Sequence, residues 1–247
     1  MNSEAPTLAY WKIRGLGAPI RMMMYYKGQK FTLKSYGEDS SQEYFATDKP
    51  LLAEKHPLIN LPYLVDGDVV VTQSNTTGLY VGKMLGIDSD EFWVKNHTVL
   101  DQTYDLRNDV IGLVYPSIKG VTLEKFPEAL EKHMNGSAKN HFSKLEKYCT
   151  GPYMCGAKPQ TCDFFLFEIL DQQIIMCKET NVAFPFEEYP KLMAMHAAMK
   201  AEPALAAYFA ADIYTKYPMN NPMAKTNFAG SGFDGNFGPT VTEVISM

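Results

Sequence analysis

A small α/β domain followed by an all-helical domain is the architecture this sequence predicts, and three observations carry it. Strand signals concentrate in the first 86 residues. One pair of them is a hairpin, Tyr63-Leu-Val65 and Val69-Val-Val-Thr72 joined by Asp66-Gly67. From Asp90 onward the pattern turns helical, over 91–115, 125–148, 162–178 and 188–200.

Each element has its own justification. Leu8–Ile13 reads as a short strand bounded by Arg14-Gly15. Ala18–Tyr26 reads as a helix, with Pro19 in its first turn and Gly28 past its end. Lys30–Tyr36 alternates as a strand does. Residues 37–57 are polar, and Pro50 and Pro57 predict an irregular loop. The hairpin follows, and Gln73-Ser74 opens a helix over about 75–85. The order is βαβ, a long loop, then ββα. Gly86–Asp90 reads as the linker, and no internal repeat is visible. The expected division is 1–86, an α/β domain; 91–218, a helical domain; and 219–247, a Gly/Asn-rich tail. Gly230, Gly232, Gly235 and Gly238 argue against a helix in that tail.

In the helix at 91–115, Val99, Thr103, Leu106, Val110 and Leu113 recur at helical spacing and predict a buried stripe. A second line, Asp101, Asp105, Asn108, Gly112 and Tyr115, suits a cleft wall or a solvated face. The later helix has no serine or threonine at the expected cap position, though Thr161 could cap it with a shifted start. Gln160 follows Pro159 at that position, and Asp163 lies in the first turn, where the helix dipole favours it.

Composition narrows the function classes. The chain is 46% hydrophobic and 21% charged, with net charge −5, so no clustered basic face points to nucleic acid. No run of about 20 apolar residues would span a membrane, and Met1–Tyr10 lacks the features of a secretory leader. The four cysteines have no C-x-x-C spacing and read as free thiols of a reducing compartment. The five histidines are scattered, which argues against a zinc site.

The chemistry concentrates at two places. Pro62 stands where a strand should begin, so it either marks an edge or makes a cis turn. A cis Leu61–Pro62 bond would turn the Leu61 backbone outward, where it can pair with an extended peptide. Gln73-Ser74 sits at a helix N-terminus, where N–H groups and a hydroxyl suit a carboxylate. Together they suit a short acidic peptide.

At this point the sequence resembles a known family. Tyr10-Trp-Lys-Ile-Arg-Gly-Leu16, Pro19-Ile-Arg21, Asn60-Leu-Pro-Tyr-Leu-Val-Asp-Gly67 and Thr72-Gln-Ser74 resemble the glutathione-site segments of cytosolic glutathione transferases, the mu class in particular. The resemblance spans about residues 8–215, strongest in the first half. It implies a thioredoxin-like N-terminal domain, a helical C-terminal domain and a cytoplasmic homodimer acting in detoxification. It implies glutathione as co-substrate, with no metal or other cofactor, and a small hydrophobic electrophile as the second substrate.

The resemblance also implies roles. Tyr10 would be catalytic. A thiol pKa near about 8.5 leaves little thiolate at neutral pH. Lowering it by about 2 units takes roughly 2.7 kcal/mol, and one charge-assisted hydrogen bond supplies about 1.5–3 kcal/mol. Trp11, Leu16 and Asn60 would face the glycyl half of glutathione, Leu61 beside Pro62 would pair with its cysteinyl backbone, and Gln73 and Ser74 would hold the γ-glutamyl carboxylate. Phe45 and Lys49 keep the spacing of a family Trp–Lys pair that reaches the glycyl carboxylate, with Phe45 lacking the indole donor. Asp105 would reach across the dimer to the glutathione amino group. Tyr115 would bond the electrophile, and Tyr208 would either wall its pocket or pack in the core. The alternatives are a glutathione-dependent isomerase, or a non-catalytic ligand-binding protein on the same fold.

Overall fold

The computed structural model describes residues 5–224 and 236–247, which divide into two compact units. The first holds the residues through Gly86, Ala204–Asn221 and the C-terminal segment; the second holds chiefly Ile87–Pro203.

The first unit is built on β1 (Thr7–Trp11), α1 (Ala18–Tyr26), β2 (Phe31–Tyr36), α2 (Lys49–Lys55), β3 (Tyr63–Asp66), β4 (Val69–Thr72) and α3 (Ser74–Met84). Strands β1 and β2 run parallel, β3 lies antiparallel to β1, and β4 returns antiparallel to β3 through the Gly67 turn. Leu8, Ala9, Phe31, Leu33 and Leu64 supply the buried sheet positions. Helix α1 packs against α3 and buries eight of its nine residues, so its three successive methionines all face protein. That burial accounts for an apolar run with little amphipathic alternation.

Residues 37–57 differ from the irregular loop the sequence predicts. Ser41–Asp48 forms a π-helical turn that runs directly into α2. Pro50 falls in the first turn of α2, where its missing N–H costs nothing, so it starts a helix rather than breaking one.

The second unit comprises α4 (Trp93–Val114), α5 (Pro116–Lys119), α6 (Phe126–Asn135), α7 (Ser137–Tyr148), α8 (Thr161–Thr180) and α9 (Pro190–Ala201). Helix α4 packs on α8, and the stripe Val99, Thr103, Leu106, Val110 and Leu113 is buried there. The start of α8 is capped from a distance. Asp88 accepts the Thr161 N–H and its hydroxyl, both at 2.7 Å, and Asn96 accepts the Cys162 N–H at 2.9 Å. Asp163 accepts the N–H groups of Gln160 and Met154 at 2.9 and 2.7 Å. Gln160 and Asp163 form a capping box at this helix start, and Asp88 and Asn96 satisfy the next N–H groups from the segment before α4 and from α4.

Two features depart from the expected division. Ala204–Asn221, expected in the helical domain, belongs to the first unit: α10 (Ala206–Ala210) packs on α1, and the N–H groups of Arg14 and Gly15 bond Pro218 O and Met219 O. The short α11 (Asp212–Thr215) lies in the same stretch. The tail beyond 219 is not simply an appendage. Val241–Ile245 forms β5, antiparallel to β2, giving a five-stranded sheet of order β4-β3-β1-β2-β5. Val-Thr-Glu-Val-Ile is rich in β-branched residues, which suit an edge strand. Gly230, Gly232 and Gly235 lie outside the described residues.

Candidate active site

Tyr10 occupies the penultimate position of β1, and its ring is buried. Its hydroxyl oxygen accepts the Leu16 N–H at 3.1 Å. The loop between them turns tightly on Gly15, whose φ of +42° is a conformation other residues rarely adopt. A β-carbon there would stand 2.8 Å from the Tyr10 hydroxyl oxygen. The N–H donated to the phenol oxygen polarises the O–H and makes it a stronger donor.

Two buried arginines belong to this region, Arg14 in the loop itself and Arg21 in α1. Arg21 Nη1 donates to Ile13 O at 2.7 Å and Nη2 to Trp11 O at 3.1 Å, so one guanidinium ties down the strand end and the loop together. Its Cζ lies 5.8 Å from the Tyr10 ring centre and 5.5 Å from that of Tyr217. Arg14 lies 4.6 Å over the Tyr214 ring. Sequence reasoning assigned neither arginine a role. A lone charge in the apolar run Pro19–Tyr26 was the available signal.

The remaining predicted glutathione residues of the first unit gather around the same strand ends. The Leu61–Pro62 bond is cis, the second of the two alternatives for Pro62. Thr72, at the end of β4, donates its hydroxyl to Asn60 O at 2.7 Å and accepts the Asn60 N–H at 3.0 Å. That clamp fixes the segment leading into Leu61. Ser74 is the first residue of α3 and is buried. Gln73 just before it is exposed and has φ 72°, one of two described non-glycine residues with positive φ. Such backbone strain is held in place only where the surroundings enforce it.

Trp11, Tyr44, Phe45 and Lys49 form one cluster. The Trp11 ring lies 5.6 Å from Tyr44 and 6.0 Å from Phe45, and Lys49 Nζ lies 5.6 Å over Phe45. Phe45 is 53% exposed, so its ring is accessible to a ligand. A polar network holds the base of this cluster. Asp48, next to Lys49, is bonded by Lys34 and by the Tyr36 hydroxyl, which also meets the Tyr63 hydroxyl at 2.7 Å. Burial, the neighbouring Tyr63 and Asp48 raise the Tyr36 pKa, so it stays a neutral donor. Burial pushes Tyr44 up to about 12.

In the second unit, Asp105 lies on the exposed face of α4 and Tyr115 caps its C-terminus, partly buried. Tyr208, read from sequence as either a pocket wall or a core residue, takes the core position. It is wholly buried in the first unit, packed against Tyr25, Phe209 and Tyr214 with ring centres 5.5–5.7 Å away, and it serves the core. Its aromatic neighbours in sequence, Phe209 and Tyr214, carried that signal.

No described helix is long and apolar enough to cross a membrane. All four cysteines are buried free thiols.

Comparison with known proteins places this arrangement. Residues 6–83 match the family described as "Glutathione S-transferase, N-terminal domain", and residues 105–212 match "Glutathione S-transferase, C-terminal domain". Glutathione S-transferase Mu 5 of Mus musculus is 31% identical over 236 residues, covering 91% of this chain and 97% of its own. Glutathione S-transferase Mu 3 of Homo sapiens is 31% identical over 225 residues, covering 88% and 93%. Among solved structures, the glutathione S-transferase Blo t 8 aligns with TM-score 0.70 at 25% identity, over 90% of this chain and all of that one.

Proposed function

Because the chain belongs to the glutathione S-transferase family, we propose that it conjugates glutathione to small hydrophobic electrophiles through a thiolate stabilised by the Tyr10 hydroxyl. Glutathione is its co-substrate. The phenol O–H donates to the sulfur as the thiol proton leaves to solvent. The thiolate then forms the S–C bond, and the electrophile's leaving group departs with its bonding pair. The observation that supports this reading best is the Leu16 N–H bound to the Tyr10 oxygen, which fixes the phenol at the end of β1.

Around that centre, Leu61 pairs with the cysteinyl backbone, with Pro62 setting its orientation, and Gln73 and Ser74 take the γ-glutamyl carboxylate at the positive end of α3. Trp11, Leu16, Phe45, Lys49 and Asn60 receive the glycyl half, Lys49 supplying the charge for its carboxylate. Asp105 serves the glutathione amino group of a neighbouring subunit, so the enzyme works as a homodimer. Tyr115 bonds the electrophile. As the family reading implies, the enzyme serves detoxification in the cytoplasm, with neither nucleic acid nor membrane as partner.

The test is conjugation of glutathione to a chloronitroaromatic compound by wild type and Tyr10→Phe across pH. The expected result is turnover by wild type and a loss of about 10- to 150-fold in the variant at neutral pH. The loss should narrow above the free thiol pKa of about 8.5, where solvent ionises the thiol unaided. Equal rates would assign thiol activation to another group. Glutathione binding without turnover in either protein would favour a carrier of ligands.

A further inference from the structure

The C-terminal segment is seated at the end of the sheet where Tyr10 and Trp11 stand. Strand β5 runs antiparallel to β2 with Val241 opposite Ser35, which brings residues 236–240 alongside the turn after β2. That turn is shaped to receive them. A β-carbon on Gly37 would stand 2.1 Å from Gly238 O, so only glycine fits. The Glu38 N–H bonds Gly238 O at 2.9 Å, and the Gly37 N–H bonds the Thr240 hydroxyl oxygen at 3.1 Å. Thr240 in turn donates its N–H, at 2.8 Å, and its hydroxyl to one oxygen of Asp39. Lys12, next to Trp11, reaches Pro239 O at 3.4 Å. Phe237 is partly buried against the cluster that contains Tyr10, Tyr44 and Leu61.

Asp39 begins the stretch that carries Phe45 and Lys49. Glu43 N–H and Gln42 N–H both bond Asp39 O, so the residue that Thr240 grips also anchors the π-helical turn. We propose that residues 236–245 are a working part of the glutathione site: Thr240 positions the stretch that presents Phe45 and Lys49, and Phe237 adds an apolar wall against the cluster that holds Tyr10, so the segment sets affinity for the glycyl half of glutathione. Thr240 is a positioning residue, acting through Asp39. Phe237 is a specificity residue. The inference rests on the function proposed above, and it concerns binding rather than thiol activation.

The experiment measures steady-state kinetics of the full chain, varying glutathione at saturating chloronitroaromatic substrate. The proteins are wild type, Thr240→Val, Phe237→Ala, and Thr240→Ser as the conservative control. Thr240→Val keeps the β-branched shape and removes the two hydroxyl bonds. The expected result is a rise of about three- to tenfold in KM for glutathione in Thr240→Val and Phe237→Ala. The kcat should stay within about twofold, the pH midpoint should not move, and Thr240→Ser should recover most of the affinity. A segment that merely stabilises the sheet would lower the melting temperature of these variants and leave KM unchanged, and that outcome overturns the proposal. Should Phe237→Ala not fold, Thr240→Val decides alone. Absence of turnover in wild type would sink the proposed function itself, whereas an active wild type with unshifted variants sinks only this inference.

Discussion

A β-carbon placed on Gly17 would stand 2.6 Å from Cδ1 of Tyr10. Gly17 has φ −82° and ψ −27°, an ordinary right-handed backbone, so space rather than conformation requires the glycine. Gly17→Ala must displace the buried phenol. Overpacking of this kind costs about 1–3 kcal/mol. The expected outcome is at least a tenfold fall in kcat/KM with the chloronitroaromatic assay, together with a lower urea midpoint.

Arg21 supplies the second prediction. Replacing it with methionine keeps the apolar stem and removes the donors to Ile13 O and Trp11 O. Ile13 O then loses its buried donor, a cost of about 1–3 kcal/mol, while Trp11 O keeps the Ile13 N–H at 2.7 Å. The loss of positive charge also raises the thiol pKa, so the pH–rate midpoint moves upward. Arg21→Lys retains charge without the paired geometry and should restore the midpoint more than the stability. Thermal melts and pH–rate profiles of the two variants check both halves.

Asp88 acts far from Tyr10 in sequence, and its prediction concerns stability alone. Asp88→Ala leaves the Thr161 N–H and hydroxyl at the head of α8 without their acceptor. A lost cap of this kind costs about 1–2 kcal/mol. The urea midpoint should fall at constant slope, with KM for glutathione unchanged.

Asp163 carries the pH dependence. It is fully buried, and desolvation raises its pKa from 3.8 to about 6 despite the two N–H donors facing it. Between those values the folded protein holds a proton that the unfolded chain has released. Stability from this group is therefore complete below 3.8 and declines as pH rises through about 6, by roughly 3 kcal/mol in all. Asp163→Asn does not titrate and presents an amide where two donors need acceptors. It should be less stable than wild type, and the gap should be widest near pH 4 and narrowest near pH 7. Urea titrations of both proteins over that range read the gap directly.

How much of this was legible in the sequence differs by element. The βαβ-ββα order, the hairpin and the stripe of α4 were readable because their signals are local: alternation, turn residues and helical spacing. The stretch 37–57 was misread because Pro50 looks the same before a helix and inside a loop, and the choice depends on Asp48 being held by Lys34 and Tyr36 of β2. At the start of α8 the local pair Gln160 and Asp163 was readable, but the acceptors Asp88 and Asn96 were not, because they are more than sixty positions away. Strand β5 was missed because five β-branched-rich residues behind a glycine-rich stretch gain meaning only once β2 offers an open edge. Tyr208 was left between two readings because a core tyrosine and a pocket tyrosine have the same sequence signature.

The pairing of β2 with β5 also bears on how the protein is made. Asp39 and Thr240 are 201 positions apart, with all of α4 to α9 encoded between them. During translation the sheet of the first unit emerges early with one side of β2 unsealed, and it stays so until residue 245 has left the ribosome. An exposed strand edge invites pairing with other chains. Until β5 pairs, that open edge of β2 is where nascent copies of this chain can pair with one another.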